Sequence, residues 1–161
     1  MTLSNLPPLV TVFGGSGFVG RHVVRTLAKR GYRIRVAVRR PDLAGFLQPL
    51  GNVGQISFVQ ANLRYRSSVD AAVQGADHVV NCVGILFESG RNGFDAVQDF
   101  GARAVAEARR KGVRSFCLSL DRASEAEVRR IFGHGGYRII DDPARLAAAL
   151  ARSYAEVIDG C

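Results

Sequence analysis

Short apolar runs alternate along this chain with stretches of helical period. Residues 9–13 form an unbroken apolar run rich in β-branched side chains, which reads as a strand. An amphipathic pattern over 17–30 follows at once, with Gly20, Val23, Val24 and Leu27 on one face. Gly31 suits the position just past that helix. The alternation predicts further strands over 33–38, 56–60, 78–83, 115–120 and 137–140. Pro41 opens a short helix that Pro49 and Gly51 close. Ser67 with Asp70 makes a capping-box-like start for the next helix, which ends at Gly75. A glycine-rich loop over 84–93 leads to a helix over 94–110, stopped at Gly112. Ser124 and Glu127 form a second capping box, for a helix ending at Gly133. Asp142 caps and Pro143 opens a last helix, to about Ile158.

The strands are apolar on successive positions, as strands buried on both faces are. Strand–helix alternation with right-handed crossovers then gives a parallel sheet covered on both sides. The expected fold is α/β: a three-layer, Rossmann-like, doubly wound sheet of six parallel strands in the order 3-2-1-4-5-6. We expect residues 1–161 to form one domain, with a 1–110 half and a βαβα half over 111–161. Ligands of such sheets bind outside the carboxyl ends of the strands.

Chemistry enters at the first strand–helix junction. The apolar run stops at Gly14, Gly15, Gly17 and Gly20, and the helix begins within that segment. In this strand–turn–helix context the glycines permit a tight turn, backbone approach to a pyrophosphate, and close helix–strand packing. The helix N-terminus offers amide N–H groups and a positive dipole end to the phosphates. A dinucleotide-binding turn is therefore expected. The bland alternative is a glycine-rich turn that binds nothing.

Composition changes the picture in two places. The hydrophobic fraction of 47% and charged fraction of 22% are those of an ordinary globular chain. Apolar runs fall short of a membrane span, and residues 1–8 show no basic and apolar leader pattern. Cys82, Cys117 and Cys161 are odd in number and widely spaced. They suggest buried thiols in a reducing, cytoplasmic setting, with neither a disulfide framework nor a metal site. The net charge of +8 is unevenly placed, because residues 1–62 hold eight bases against one acid, Asp42. An anionic ligand explains that excess, as do Arg-rich solvated helix faces. Aromatic residues are not interleaved with the bases, so nucleic acid is not an expected partner. Neither is a membrane, and a monomer is expected.

Four segments carry a family resemblance: Val12 to Val24, Val36 to Pro41, Gln60 to Arg64, and Val79 to Ile85. On these, residues 9–110 resemble the atypical and extended short-chain dehydrogenase/reductase family, in the branch of the epimerase-like accessory subunit of respiratory complex I. The resemblance implies that Gly14, Gly15, Ser16, Gly17, Phe18, Val19 and Gly20 hold the pyrophosphate. It places Asn62 and Leu63 beside the adenine, where the family usually has Asp-Leu. Asn62 would accept from the adenine amino group through its carbonyl oxygen. Val83 and Gly84 would line the cofactor further on. In such folds the segment after strand 2 chooses the cofactor, an acid for NAD and Arg for NADP. Here that segment holds Arg39 and Arg40, with no acid before Asp42. NADP is the expected cofactor, with NAD the alternative.

The catalytic half of the family pattern is not found. That pattern needs a Tyr with a Lys four residues later, the Lys lowering the Tyr pKa. Tyr32, Tyr65, Tyr137 and Tyr154 have no such Lys, and Ser119 lies one residue out of register with the family's Ser. On these grounds a non-catalytic chain is expected, without catalytic or metal-ligating residues. His134, a lone loop histidine, is a weak candidate acid.

From about Arg109 a second resemblance begins. Lys111 to Asp121, Ile131 to Asp142 and Leu146 to Ile158 are similar to the end of a von Willebrand factor A-type domain, in the nitric-oxide-reductase activation branch. That domain's metal motif belongs to a half not matched here. Both parents being doubly wound, a crossover near 106–112 would keep the topology continuous. The expected protein is a recombined or engineered chimera retaining a dinucleotide-binding half. The alternatives are a purely structural recombinant without ligand, and a truncated natural NADP-dependent reductase- or epimerase-like protein.

Overall fold

The computed structural model describes residues 6–83, 110, 112, 114–119, 125–134, 137–139, 142–145, 148, 149 and 152. The amino half runs β1 (Leu9–Phe13), α1 (Phe18–Lys29), β2 (Arg33–Val38), two 3-10 segments (Pro41–Leu43 and Gly45–Leu50), β3 (Ile56–Gln60), α2 (Arg66–Val73) and β4 (His78–Asn81). Beyond these lie β5 (Arg114–Ser119), α3 (Glu125–Phe132), β6 (Tyr137–Ile139) and a 3-10 turn at Pro143–Arg145. The described strands form one sheet in the order β3-β2-β1-β4-β5-β6, and every pairing is parallel. This is an α/β Rossmann-like fold.

The period-2 geometry of each strand sends its side chains to two cores. Val10, Val12, Ile34, Val36, Val38 and Val80 point to one face, where they meet Val23, Val24 and Leu27 of α1 and Leu47 of the second 3-10 segment. Phe13, Ala37 and Val79 point to the other face, with Val69, Ala72 and Val73 of α2. Helices therefore cover both faces, and the side chains that β1, β2 and β4 send into these two cores are apolar.

Several local expectations are corrected. The α2 helix starts with Tyr65 at its N-cap and makes no side-chain cap bond, so Ser67 and Asp70 form no capping box. Asp70 instead faces Arg66 at 3.6 Å. The start is set earlier, where the Asn62 N–H donates to Ser68 Oγ at 2.7 Å and the Tyr65 N–H to the Asn62 carbonyl at 3.0 Å. The helix expected after Pro41 is two 3-10 segments, with Gly45 opening the second and Pro49, which lacks an N–H, inside it. β4 ends at Asn81 instead of residue 83, because the Val83 N–H turns back to Asn81 Oδ1 at 3.1 Å. Cys82 is a free thiol, half-buried rather than buried. Asp142 receives the Ala144 N–H at 2.9 Å, the cap expected of it. The loop expected over 84–93 and the helix expected over 94–110 lie outside the described residues except for residue 110, which is helical.

Arg35 has a role that its charge alone did not suggest. From β2 it donates to the carbonyls of Ala72 at 2.8 Å and Gln74 at 2.7 Å. Thr11 Oγ1, itself buried, donates to the same Ala72 carbonyl at 2.9 Å. A cation at a helix C-terminus satisfies carbonyls that have no intrahelical partner. Arg33 likewise donates to the Pro7 carbonyl at 2.7 Å. Part of the basic excess is therefore spent on the fold itself.

Candidate dinucleotide-binding site

β1 lies between β2 and β4, with Phe13 opposite Ala37 on one side and Asn81 on the other. The chain leaves all three strands at the same carboxyl edge, where the direction of winding reverses. Gly14–Gly17, Arg39–Arg40 and Cys82–Val83 are brought together there by the register. The Gly14 N–H donates to the Ala37 carbonyl at 3.0 Å, and the Cys82 N–H to the Phe13 carbonyl at 2.9 Å.

The glycines divide by what a side chain would meet. Gly14 has φ +71°, and a Cβ there would press on Val83 Cγ2 at 3.0 Å. A Cβ on Gly15 would lie 2.8 Å from Val36 Cγ1. On Gly20 it would collide with the Gly14 carbonyl oxygen and sit 2.6 Å from Gly15 Cα. These three are glycine because protein fills the space. Gly17 differs: it is exposed, and its Cβ would meet one protein atom only, the Gly14 oxygen at 3.3 Å. Its φ of −72° and ψ of 176° suit any residue. No strain requires glycine at position 17, and a Cβ would be tight against that one main-chain oxygen alone, so the rest of the space it leaves faces outward. That is the fit a pyrophosphate needs, since backbone can approach it there without a side chain between.

Gly17 is also the N-cap of α1, a helix of 12 residues with no side-chain cap bond and no acid in its first turn. The Gly17 N–H is used internally, on the Gly14 carbonyl at 3.0 Å, and the Arg21 N–H closes the first helical bond on Gly17 at 3.0 Å. The N–H groups of Phe18 and Val19 belong to the first turn, where helix geometry supplies no acceptor. The phosphate-binding potential of this turn is thus backbone amide and dipole. Ser16 is half-buried, and Phe18 is exposed with its ring edge-on to His22 at 5.4 Å.

Other expected residues behave differently. Leu63 is 6% exposed and packs among Phe13, Val69 and Ala72, so its side chain belongs to the core and not to a ligand surface. The Asn62 side-chain Oδ1 accepts the Arg64 N–H at 3.1 Å, closing a local turn. Arg40 makes two bonds to Asp42, from Nε at 3.1 Å and from Nη2 at 2.8 Å. Its guanidinium holds the Asp42 carboxyl below the usual carboxylate range, and Asp42 raises Arg40 in return. Arg39 is exposed at the end of β2. Gly84 lies outside the described residues. His134 Nε2 accepts from Arg129 at 2.8 Å, in the loop after α3. No cluster of possible metal ligands occurs among the described residues, and none of the described helices is long and apolar enough to cross a membrane.

Sequence reasoning missed Arg21 and Phe46, and it named Asp42 without its pairing to Arg40. The Arg21 guanidinium lies against the turn's own carbonyls and 5.2 Å from the centroid of the Phe46 ring. Its i+4 spacing from Gly17 was the available signal.

Comparison with known proteins agrees with this geometry. Residues 14–158 match the NAD(P)H-binding family. The chain is 36% identical over 110 residues to ceramide reductase of Caulobacter vibrioides, covering 68% of this chain and 33% of that protein. It is 33% identical over 119 residues to the mitochondrial NADH dehydrogenase [ubiquinone] 1 alpha subcomplex subunit 9 of Dictyostelium discoideum, covering 73% and 33%. The chain thus spans about a third of the length of these relatives. Among solved structures, serine dehydrogenase from Escherichia coli superposes with a TM-score of 0.69 at 16% identity, over 88% of each chain. The Bordetella bronchiseptica enzyme WbmG, in complex with NAD, gives 0.57 at 18% identity, over 74% of this chain and 39% of that one.

These names correct the expectation of a chain outside enzyme chemistry. Relatives and structural neighbours are named reductases and dehydrogenases, so the family is enzyme-like. The expectation rested on a missing Tyr/Lys pair, and a stretch matching a third of its relatives need not contain that pair. Turn, helix terminus and matched segment agree, and the chain belongs to the NAD(P)H-binding family.

Proposed function

We propose that this chain is the dinucleotide-binding part of a reductase- or epimerase-like protein, folded as one domain. The observation that carries this reading is Gly17, the one glycine of its turn whose empty side faces outward. Gly14, Gly15, Ser16, Gly17, Phe18, Val19 and Gly20 would surround the pyrophosphate, with the α1 N–H groups as donors. Val83, packed against Gly14, and Gly84 would line the cofactor beyond β4. Asn62 would lie near the adenine, its side-chain Oδ1 already holding one local bond, and Leu63 would support that wall from within. The bound cofactor would supply hydride transfer.

The match to one family runs across residues 106–112, which supports a single natural lineage over a recombined one. For cofactor choice, Arg39 supports NADPH, since a guanidinium suits a 2′-phosphate. A second reading, NADH, is favoured by the Arg40–Asp42 pair, which occupies one guanidinium and leaves a carboxylate near the ribose position. The widely spaced cysteines fit a reducing compartment such as the cytoplasm.

Isothermal titration with NADPH and then NADH tests the reading. Saturable micromolar binding is expected, tighter for NADPH. A folded protein that gives no heat with either would remove the assignment.

A further inference from the structure

Arg21 stands one turn into α1, and its side chain reaches back toward the helix start. Nε donates to the Gly17 carbonyl at 3.3 Å and Nη2 to the Ser16 carbonyl at 3.4 Å. On its other side the guanidinium carbon lies 5.2 Å from the centroid of the Phe46 ring. Phe46, in the second 3-10 segment, is 51% exposed, so it fills no core and its packing does not explain its place. The peptide that carries the Gly17 carbonyl also carries the Phe18 N–H. That N–H is the first amide of α1, and helix geometry gives it no acceptor. A cation on a carbonyl polarises the N–H of the same peptide, since linked hydrogen bonds strengthen one another. The contact with the aromatic face restrains a long side chain that would otherwise sample many rotamers.

We propose that Arg21, restrained by Phe46, is a positioning residue for the phosphate-binding turn. It holds the Ser16 and Gly17 carbonyls away from the ligand and strengthens the Phe18 N–H as a donor to pyrophosphate. The inference rests on the dinucleotide reading above and deepens it. Its signature is selectivity within the ligand. Arg21 acts at the phosphates, so adenosine and the 2′-phosphate are indifferent to it.

The test compares wild type with Arg21→Gln, Arg21→Lys and Phe46→Leu. Titration calorimetry reads ADP, NADH and NADPH, and ligand-observed NMR reads adenosine. Arg21→Gln should weaken ADP and both dinucleotides by a common factor of about three to ten, with adenosine unchanged. Arg21→Lys should recover part of the loss. Phe46→Leu leaves both carbonyl contacts in place and should give a smaller loss with the same ligand pattern. Unchanged ADP affinity in Arg21→Gln would overturn the inference while leaving the dinucleotide reading intact. Equal loss of ADP and adenosine would also overturn it, because Arg21 would then merely hold the fold. A wild-type protein that binds neither dinucleotide would fail the underlying reading, and the inference with it.

Discussion

The glycine turn and the loop after β2 leave the same edge of the same sheet, yet they rest on different physics. The turn is specified by backbone. Gly14 needs a positive φ, and Gly20 needs the space in which a Cβ would strike the preceding turn. The loop after β2 is specified by exposed charges, with Arg40 and Asp42 paired at the surface and Arg39 beside them. Backbone constraints of the first kind are all-or-none, because main chain cannot step aside. Surface pairs of the second kind are worth little and rearrange readily. The difference separates what makes a site able to hold pyrophosphate from what tunes the nucleotide it prefers.

Substitutions can break or sharpen that contrast. The largest effect is expected at Gly20→Val, where overpacking against backbone should cost about 3 kcal/mol or more. Urea denaturation checks it, and an unchanged midpoint would show that α1 and the turn can move apart. At Gly17→Val the expectation is reversed. The urea midpoint should fall far less than in Gly20→Val, since φ is permissive and the one close atom, the Gly14 oxygen, need give only a few tenths of an ångström. Dinucleotide affinity by titration should fall more than about tenfold, which is ~1.4 kcal/mol. Retained affinity would remove the pyrophosphate from that position.

On the charged side the effects shrink. Arg39→Asp should shift the NADPH-to-NADH affinity ratio toward NADH by about tenfold, because a charge-assisted bond becomes a repulsion. Equal losses of both cofactors would undo the assigned role. Asp42→Asn is expected to be mildest, raising the ratio about two- to threefold by releasing Arg40. Its melting temperature at neutral pH should fall slightly at most, as for an exposed pair. The Asp42 carboxyl is held low by Arg40, so the pair is fully formed above the usual carboxylate range. It is lost only as pH falls through that lowered value, and the variant should differ least from wild type in acid.

Much of this was legible in the chain. The strand over 9–13 and the helix behind it were visible because the strand is buried on both faces and the helix buries one face of a strict period. The family-level site was visible because glycines at a strand–helix junction have few other uses. The start of α2 was not, since Asn62 and Ser68 outcompeted the box suggested by Ser67 and Asp70 through contacts across a turn. Leu63 was placed beside a ligand by its motif, whereas the turn after β3 sends its side chain into the core. Arg35 counted as one of eight bases in a patch, yet it closes the end of α2. Enzyme character was misjudged because a missing motif was weighed in a stretch that spans a third of its relatives.

The sequence by itself determined the layers, the parallel sheet and the turn that can meet a pyrophosphate. Hydrophobic period and glycine's missing side chain are local properties that any neighbour must respect. Only the tertiary structure decided which glycine faces outward and which arginines remain available to a ligand. It also decided that Arg21 reaches back to the carbonyls of the turn. Those outcomes depend on which groups lie within hydrogen-bond distance after β1, β2, β4 and α1 have packed, and spacing along the chain can bring groups near without fixing that distance.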